Sequence, residues 1–368
     1  MKKSLIRISL IVLIITISVK SYSQKGINTQ ILDDYFTQIK NFNGNILVAV
    51  NGQSVFEKSY GYANLELGVK NNLDTKFQIG SITKQFTSMA IFILYEKGKL
   101  KLTDRISNYI DSLPIGWQNI TIHQLLNHTS GLMHSEDLKD FNKIMSIQAS
   151  LDESIKRYYD QPLVAKPGEK AHYSGLGYFL LAKIIENISR KTYEEFLKEE
   201  IFNKIKMENT GAYNPSNLYK NIANGYQLKD TIIINADFIY LPIKTGGGNL
   251  YSTLNDLLKW DQAFNNNLLI SDTTKKLMLT PGFYDIACGI GVEKIRLKNS
   301  KNENKANIPD SLISIGHGGW NPGFSSRIDM FPYKKILIVK LSNGDYFTEF
   351  WDDSFTQLVL KEIYKRYE

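Results

Sequence analysis

The stretch Phe77-Gln-Ile-Gly-Ser-Ile-Thr-Lys84 decides the fold, and it contains the only Ser-x-x-Lys of the chain. Apolar residues recur at helical spacing after it, so we expect a mostly buried helix from Ser81 to a candidate C-terminal cap at Gly98. Ser81 and Lys84 would then share one helix face. A serine hydroxyl needs a base to take its proton, and Lys84 can be that base only if burial lowers its pKa. The helix N-terminus would also favour a developing anion, because of its partial positive charge and free N–H groups.

Length and composition favour one large folded unit and exclude some functions. The chain has 368 residues, 43% of them hydrophobic, which is enough for one large core or for a main domain with an insertion. Its net charge is +7, but residues 1–23 hold four basic and no acidic residues, which leaves 40 basic against 37 acidic, or +3. This surface without a basic stripe argues against nucleic-acid binding. Cys288 is the only cysteine, so we expect no internal disulfide and interpret it as a small buried apolar residue.

The first residues have the pattern of a secretory signal peptide. Residues 1–7 are basic and residues 8–19 are apolar, and Ser21 and Ser23 are small residues at the −3 and −1 positions of a cleavage site. The apolar run has about 12 residues, fewer than the ~20 that span a bilayer. We expect export to the periplasm or the outside as a soluble protein, with no stable membrane span after cleavage. A retained membrane anchor is the alternative.

Strand patterns lie near both ends of the chain, with helical patterns between them. Asn51-Gly52 is a strong hairpin signal between β-rich runs at 45–50 and 54–60. Further strands are predicted at 286–295, 325–331 and 336–341. Helical patterns dominate 102–236, with helices at 122–126 (after the N-cap Thr121), 176–188 and 193–202, and return at 254–264 and 352–366. We expect a tight turn at 246–248 and a polar loop at 298–307. The economical arrangement is a sheet built from both ends, flanked by helices, with a helical insertion.

Signatures of other hydrolases are absent from the sequence. It has no Gly-x-Ser-x-Gly elbow, no His-Glu-x-x-His motif and no Walker loop, and its five histidines form no spaced ligand set for zinc. Tyr173 could share proton transfer with Lys84, because a nearby ammonium lowers the pKa of a phenol. The alternative is an ordinary structural tyrosine, since the chain has 21 of them. The context of Tyr173 predicts an exposed turn at a cleft rim. We interpret His128, in Asn127-His-Thr-Ser-Gly131, as part of a structural loop, since no acid partner is evident.

Several ordered motifs resemble those of serine β-lactamases and penicillin-binding hydrolases, in the branch of class C β-lactamases, DD-carboxypeptidases, D-aminopeptidases and esterases. The three main motifs are Ser81-Ile-Thr-Lys84, Tyr173-Ser-Gly175 and His317-Gly-Gly319. Further landmarks are Glu96-Lys-Gly-Lys-Leu100, Leu125-Leu-Asn-His-Thr-Ser-Gly-Leu132, Gly246-Gly-Gly-Asn-Leu-Tyr-Ser252 and Pro322-Gly-Phe-Ser-Ser326. The resemblance covers about residues 30–345.

This resemblance implies an α+β fold of the β-lactamase/DD-peptidase type, with a mainly antiparallel sheet flanked by helices and an inserted helical subdomain. It implies a single catalytic domain at 24–368, whose sheet comes from about 30–80 and 285–345 and whose helical part lies at about 100–240. The active cleft is expected between the sheet and the helical part.

The resemblance also assigns roles to residues. It implies that Ser81 is the nucleophile of an acyl-enzyme and that Lys84 and Tyr173 activate it and move the proton to the leaving group. The backbone N–H groups of Ser81 and Trp320 would form the oxyanion hole. The substrate-binding residues would be His317, Gly318, Gly319 and Gly175. No metal or organic cofactor is implied.

Two departures from the family pattern bear on the substrate. The second motif commonly ends in Asn, whose amide touches the substrate and the lysine, and Gly175 has no side chain. The third motif of β-lactamases usually begins with Lys, whereas His317 is only partly charged near neutral pH. Both departures lower the expectation of efficient β-lactam hydrolysis.

The sequence therefore predicts an exported serine hydrolase that transfers an acyl group from a small amide, a peptide with D-residues or an ester. Its substrate would be a small molecule or a short peptide, and the cell wall is one source from which such a substrate could come. The alternatives are a true β-lactamase, a non-turnover penicillin-binding or sensor protein of the same fold, and a structural module in which Ser81 does nothing.

Overall fold

The computed structural model describes residues 27–295, 312–347 and 351–364. Its helices are α1 Thr29–Thr37, α2 Thr83–Glu96, α3 Ile122–Leu126, α4 Phe141–Met145, α5 Leu151–Lys156, α6 Gly175–Ser189, α7 Tyr193–Leu197, α8 Leu254–Asn265, α9 Asp272–Met278 and α10 Ser354–Tyr364. Its strands are β1 Gly44–Val50, β2 Gln53–Tyr60, β3 Tyr62–Asn64, β4 Val69–Lys70, β5 Phe77–Gln78, β6 Gly211–Ala212, β7 Tyr226–Lys229, β8 Ile232–Asn235, β9 Leu250–Ser252, β10 Gly291–Lys294, β11 Ile313–Asn321, β12 Phe324–Phe331 and β13 Ile336–Ser342. The predicted signal peptide and the predicted loop at 298–307 lie outside the described residues.

A six-stranded antiparallel sheet in the order β10-β11-β12-β13-β1-β2 forms the centre of the fold. β1 and β2 come from the start of the chain and the other four strands from its end, as the sequence predicts. The predicted hairpin is confirmed, with Asn51 and Gly52 at φ 54° and 74°, the positive values of a type I′ turn. β1 pairs with β13 and so joins the two parts of the sheet, with Gly44 opposite Ser342 and Val50 opposite Ile336.

The sheet separates two hydrophobic cores, because successive side chains of a strand point to opposite faces. Leu47 of β1 and Val339 of β13 face the larger core, which also contains the buried sides of α2, α6 and α8. Val48 and Ile338, one residue along each strand, face a smaller core with α1 and α10. The sheet is therefore covered by helices on both faces, which confirms the predicted fold class.

Helix α2 presents Ser81 at its start. A 3-10 turn at Gly80–Ile82 leads into α2, whose residues 83–94 are all buried. Gly98 has a φ of 66°, and the N–H groups of Gly98 and Lys99 donate to the carbonyls of Tyr95 and Leu94, which satisfies the helix end in a Schellman motif. The predicted cap is confirmed. The helix is held on all sides, and it fixes the position of Ser81.

Most other predicted elements are present, with corrections. Thr121 caps α3 in a capping box, and α6, α8, β12 and β13 lie at the predicted positions. The predicted strand at 286–295 is wrong over its first half: only Gly291–Lys294 is extended, because Gly289, at φ 72°, turns the chain. The region 102–236 contains the strands β6, β7 and β8 besides its helices. The segment 193–202 changes from α7 to a π-helix at Lys198–Phe202, and the closing helix spans Ser354–Tyr364.

Candidate active site

Ser81 and Lys84 meet at the start of α2, as the spacing predicts. The Lys84 ammonium nitrogen lies 3.0 Å from the Ser81 hydroxyl oxygen and donates to the Gly247 carbonyl at 2.7 Å. The side chain is buried, with Lys84 only 1% exposed. Burial lowers the pKa of Lys84 well below its usual value, the charge of Lys244 lowers it further, and Glu136 opposes both. A lowered pKa is the condition that a base at Lys84 requires, and the shift has that direction.

Tyr173 lies beside this pair, held between two histidines. Its ring centroid is 4.9 Å from the Lys84 nitrogen, 4.5 Å from the His128 ring and 5.2 Å from the His134 ring. The residues after it donate backbone N–H groups to the same histidines, Ser174 to His128 Nδ1 at 3.0 Å and Gly175 to His134 Nδ1 at 3.1 Å. Tyr173 is only partly exposed, so the expectation of an exposed turn is wrong: ring packing encloses it.

The pKa values of the phenol and the amine in this cluster both move towards favouring the uncharged form. Burial raises the pKa of Tyr173 well above its usual value, and the hydrogen bond with Ser81 offsets only part of this rise. Tyr173 therefore holds its proton at neutral pH. Because burial favours the free amine of Lys84, the cluster combines a group suited to take a proton with a group suited to give one. This arrangement suits acyl transfer without a metal.

The third motif lies on β11, directly against the serine turn. A Cβ at Gly319 would lie 2.0 Å from the Ile79 carbonyl oxygen, and a Cβ at Gly80, which has φ 47°, would lie 2.5 Å from the Trp320 nitrogen. Only glycines let these two backbones approach so closely. The Trp320 nitrogen is thus brought beside the turn that carries Ser81.

His317 faces the same cleft but carries no charge there. Its ring centroid lies 6.1 Å from that of Tyr173, and its Nδ1 makes a short contact with the Gly318 carbonyl. Burial, reinforced by the charge of Lys84, lowers the pKa of His317 to about 4. A cavity of about 220 Å³ opens here, lined in part by His128, Tyr173 and His317. The histidine is therefore neutral where β-lactamases usually have a cation.

Three contacts around the site escaped the sequence reasoning, because they join distant segments. Gly247 belongs to the predicted turn at 246–248, and its carbonyl anchors Lys84. Lys244 donates to Glu136 at 3.1 Å and to Asn321 at 2.9 Å. No local pattern signals a pair 108 residues apart. His128 contacts the second motif: its Nδ1 accepts the Ser174 N–H and its ring packs against Tyr173.

The described residues also bear on metals, membranes and cysteine chemistry. Across 27–295, 312–347 and 351–364, no group of three or more His, Cys, Asp or Glu side chains is placed to hold a metal ion. No helix in these ranges is long and apolar enough to cross a membrane. Cys288 is buried, as predicted, and burial raises the pKa of its thiol to about 12.

Comparisons with known proteins agree with this geometry. The family profile described as Beta-lactamase matches residues 32–361. A penicillin-binding protein of Bacillus subtilis is 30% identical over 337 residues, which cover 84% of this chain and 70% of that protein. The teichoic acid D-alanine hydrolase of Staphylococcus aureus is 31% identical over 242 residues, or 65% of this chain and 58% of the relative.

Solved structures show the same architecture. The octameric penicillin-binding protein homologue from Pyrococcus abyssi superposes with a TM-score of 0.77 at 25% identity, over 92% of this chain and 78% of that one. A D-amino acid amidase from Ochrobactrum anthropi SV3 shares the fold, with a TM-score of 0.76 at 20% identity over 92% and 98% of the two chains. The fold, the family match and these relatives define a serine hydrolase. The chain belongs to the β-lactamase family.

Proposed function

We propose that this serine hydrolase transfers an acyl group from a small ester, amide or D-residue peptide to Ser81 and then to water. The observation that carries the proposal is the buried Lys84 nitrogen, 3.0 Å from the Ser81 hydroxyl. Its lowered pKa gives the base that a serine nucleophile requires.

Acylation follows from the protonation states of the cluster. Ser81 Oγ attacks the substrate carbonyl while its proton passes to Lys84. The N–H groups of Ser81 and Trp320 stabilise the oxyanion, and one such donor typically contributes about 3 kcal/mol. Tyr173 protonates the leaving group as the tetrahedral intermediate collapses, and the proton on Lys84 replaces the one that Tyr173 gave. Water then releases the acyl group through the same groups in reverse.

The proposed substrate follows from the charge of the cleft. A permanent cation at the start of the third motif would suit a carboxylate beside the scissile bond, and His317 is neutral here. An uncharged ester or amide therefore fits this position better than a β-lactam or a free C-terminal carboxylate. The names of two similar proteins, a D-alanine hydrolase and a D-amino acid amidase, favour D-configured acyl groups, including ones from the cell wall.

The test is p-nitrophenol release from p-nitrophenyl acetate by wild type, Ser81→Ala and the exposed control Ser146→Ala. Sustained release that is lost only in Ser81→Ala supports the proposal. A single stoichiometric burst would favour a non-turnover binding protein, and equal rates in all three would contradict a role for Ser81. Turnover of D-alanyl esters and D-amino acid amides, against their L-enantiomers and a chromogenic cephalosporin, then separates an esterase or amidase from a β-lactamase.

We also propose that the enzyme works outside the cytoplasm. The support is the basic and apolar pattern of residues 1–23, with small residues Ser21 and Ser23 before the cleavage point. N-terminal sequencing of the protein from fractionated cells tests it. A chain that begins at Gln24 in the exported fraction supports the proposal, and an uncleaved chain in the cytoplasm contradicts it.

A further inference from the structure

The Ser135 side chain takes the room that a side chain would need at the last position of the second motif. A Cβ at Gly175 would lie 2.3 Å from Ser135 Oγ and 3.2 Å from Ser135 Cβ. Ser135 is 1% exposed, and its backbone carbonyl accepts from Tyr158 at 3.0 Å, which holds this part of the chain in place. The space that the family's Asn side chain would start from is therefore filled by the 3-10 turn Ser135–Asp137.

That turn carries a carboxylate, Glu136, which pairs with a buried lysine and whose charge acts on Lys84. Glu136 accepts from Lys244 at 3.1 Å, and Lys244, 6% exposed, also donates to Asn321 at 2.9 Å. Asn321 in turn donates to the Gly248 carbonyl at 3.0 Å. Burial raises the pKa of Glu136, but a hydrogen bond from His134 and the Lys244 charge outweigh it and bring the pKa to about 2. Glu136 is therefore anionic across the working pH range.

The Lys244–Glu136 pair is tied to the reacting groups through the backbone. The Lys244 carbonyl accepts from the N–H groups of Gly247 and Gly248, both at 2.9 Å, and so closes the turn. The carbonyl of that same Gly247 accepts from the Lys84 ammonium at 2.7 Å. A change at Lys244 therefore reaches Lys84 both through this turn and through space.

Building on the proposed function, we propose that Lys244 and Glu136 are positioning residues for the acyl transfer. Together they form the charged wall that replaces the missing side chain at position 175, and they set the electrostatic field in which Ser81 and Lys84 react. Lys244 favours the uncharged form of Lys84, and Glu136 opposes it. The two members of one ion pair thus act on the base with opposite signs.

Four other titratable groups near Lys84 do not obscure this effect. Besides Glu136 and Lys244, the groups that interact with Lys84 are His128, His317, Tyr173 and Tyr178. His134 contacts Glu136. Burial holds the pKa of His128 and of His317 below the usual value, and that of Tyr173 and of Tyr178 above it, so these four stay uncharged near neutral pH.

The test measures kcat/KM for p-nitrophenyl acetate against pH in Lys244→Met and Glu136→Gln. Activity falls at low pH as Lys84 becomes protonated, and this part of the pH profile is the acid limb. Loss of the Lys244 charge raises the pKa of Lys84, so the acid limb should move to higher pH by about half to one unit. This shift lowers activity on that limb about three- to tenfold. Loss of the Glu136 charge should move the limb to lower pH. Lys244→Arg keeps the charge and should leave the limb in place.

A merely structural ion pair would give a different result. Its loss would lower activity in both variants without opposite shifts, and limbs that move the same way or stay fixed would overturn the inference. If Lys244→Met does not fold, Glu136→Gln alone still tests the inference. Only the proposed electrostatic effect predicts that the acid limb of Glu136→Gln moves to lower pH. If Ser81→Ala retains full activity, the proposed function fails first. If Ser81→Ala is inactive and the limbs do not move oppositely, only this inference fails.

Discussion

Two buried lysines in one cleft have opposite surroundings. Lys84 donates to two uncharged oxygens, the Ser81 hydroxyl and the Gly247 carbonyl, and burial lowers its pKa. Lys244 is nearly as buried, but it contacts the carboxylate of Glu136. Burial against neutral acceptors favours the free amine, whereas burial against a carboxylate favours the ion pair. The same residue type is therefore suited to act as a base at position 84, whereas at position 244 it lies in an ion pair.

The largest effect in this comparison should come from removing the base. Lys84→Met should lower kcat/KM for p-nitrophenyl acetate by about 10³- to 10⁴-fold, because Tyr173, which also hydrogen-bonds to Ser81, favours its protonated form and is a poor base. Lys84→Arg should be equally inactive, since a guanidinium stays protonated. Lys99→Met, at an exposed position just after the same helix, is the matched control and should match wild type. Activity within tenfold of wild type in Lys84→Met would mean that another group is the base.

Tyr173→Phe should separate substrates by their leaving groups. An amide nitrogen must gain a proton to leave, so amide turnover should fall by about 10²- to 10³-fold. p-Nitrophenolate leaves without a proton, so ester turnover should fall much less. Parallel assays of a D-amino acid p-nitrophenyl ester and the corresponding amide measure the difference. Equal losses on both would instead assign Tyr173 to the activation of Ser81.

How much the sequence reveals depends on whether a feature is local. The Ser81–Lys84 pair, the type I′ turn at Asn51-Gly52 and the cap at Gly98 depend on neighbours in the chain, and all were predictable. Strand β11 was missed although it carries the third motif. Its glycines break the alternation typical of a strand, and Gly319 is required because the backbone of Ile79 lies against it. That contact joins residues 240 positions apart, and no spacing rule reports it.

Restoring the family's side chain at position 175 should not restore its function. Gly175→Asn should destabilise the fold by about 1–3 kcal/mol, because its Cβ meets Ser135 and must displace the turn that carries Glu136. Thermal unfolding and kcat/KM measure the two consequences, and both should decrease. Gly116→Ala, where a Cβ meets nothing within 4 Å, is the control. A more active Gly175→Asn enzyme would show that the Lys244–Glu136 wall does not replace the missing residue.

The smallest effect is expected at His317. His317→Gln keeps a hydrogen-bonding side chain without the titration, and kcat/KM should fall about fivefold with no movement of the acid limb. The protonation of His317 should also change how the free energy of unfolding depends on pH. Because the folded-state pKa of His317 is lowered to about 4, the unfolded chain binds the proton first as pH falls from about 6.5. Wild type should therefore lose stability from pH 6.5 towards 4 more steeply than His317→Gln. Parallel stability curves would contradict the neutral assignment.

The most direct test of the account is the titration of Lys84 itself. In protein labelled with ¹³C-lysine, the Lys84 ¹³Cε resonance is assigned by its absence in Lys84→Arg, and its chemical shift is followed against pH. Burial between the Ser81 hydroxyl and the Gly247 carbonyl predicts a midpoint well below that of the surface lysines, with the amine uncharged at neutral pH. A Lys84 resonance that titrates together with the surface lysines would contradict its role as the base.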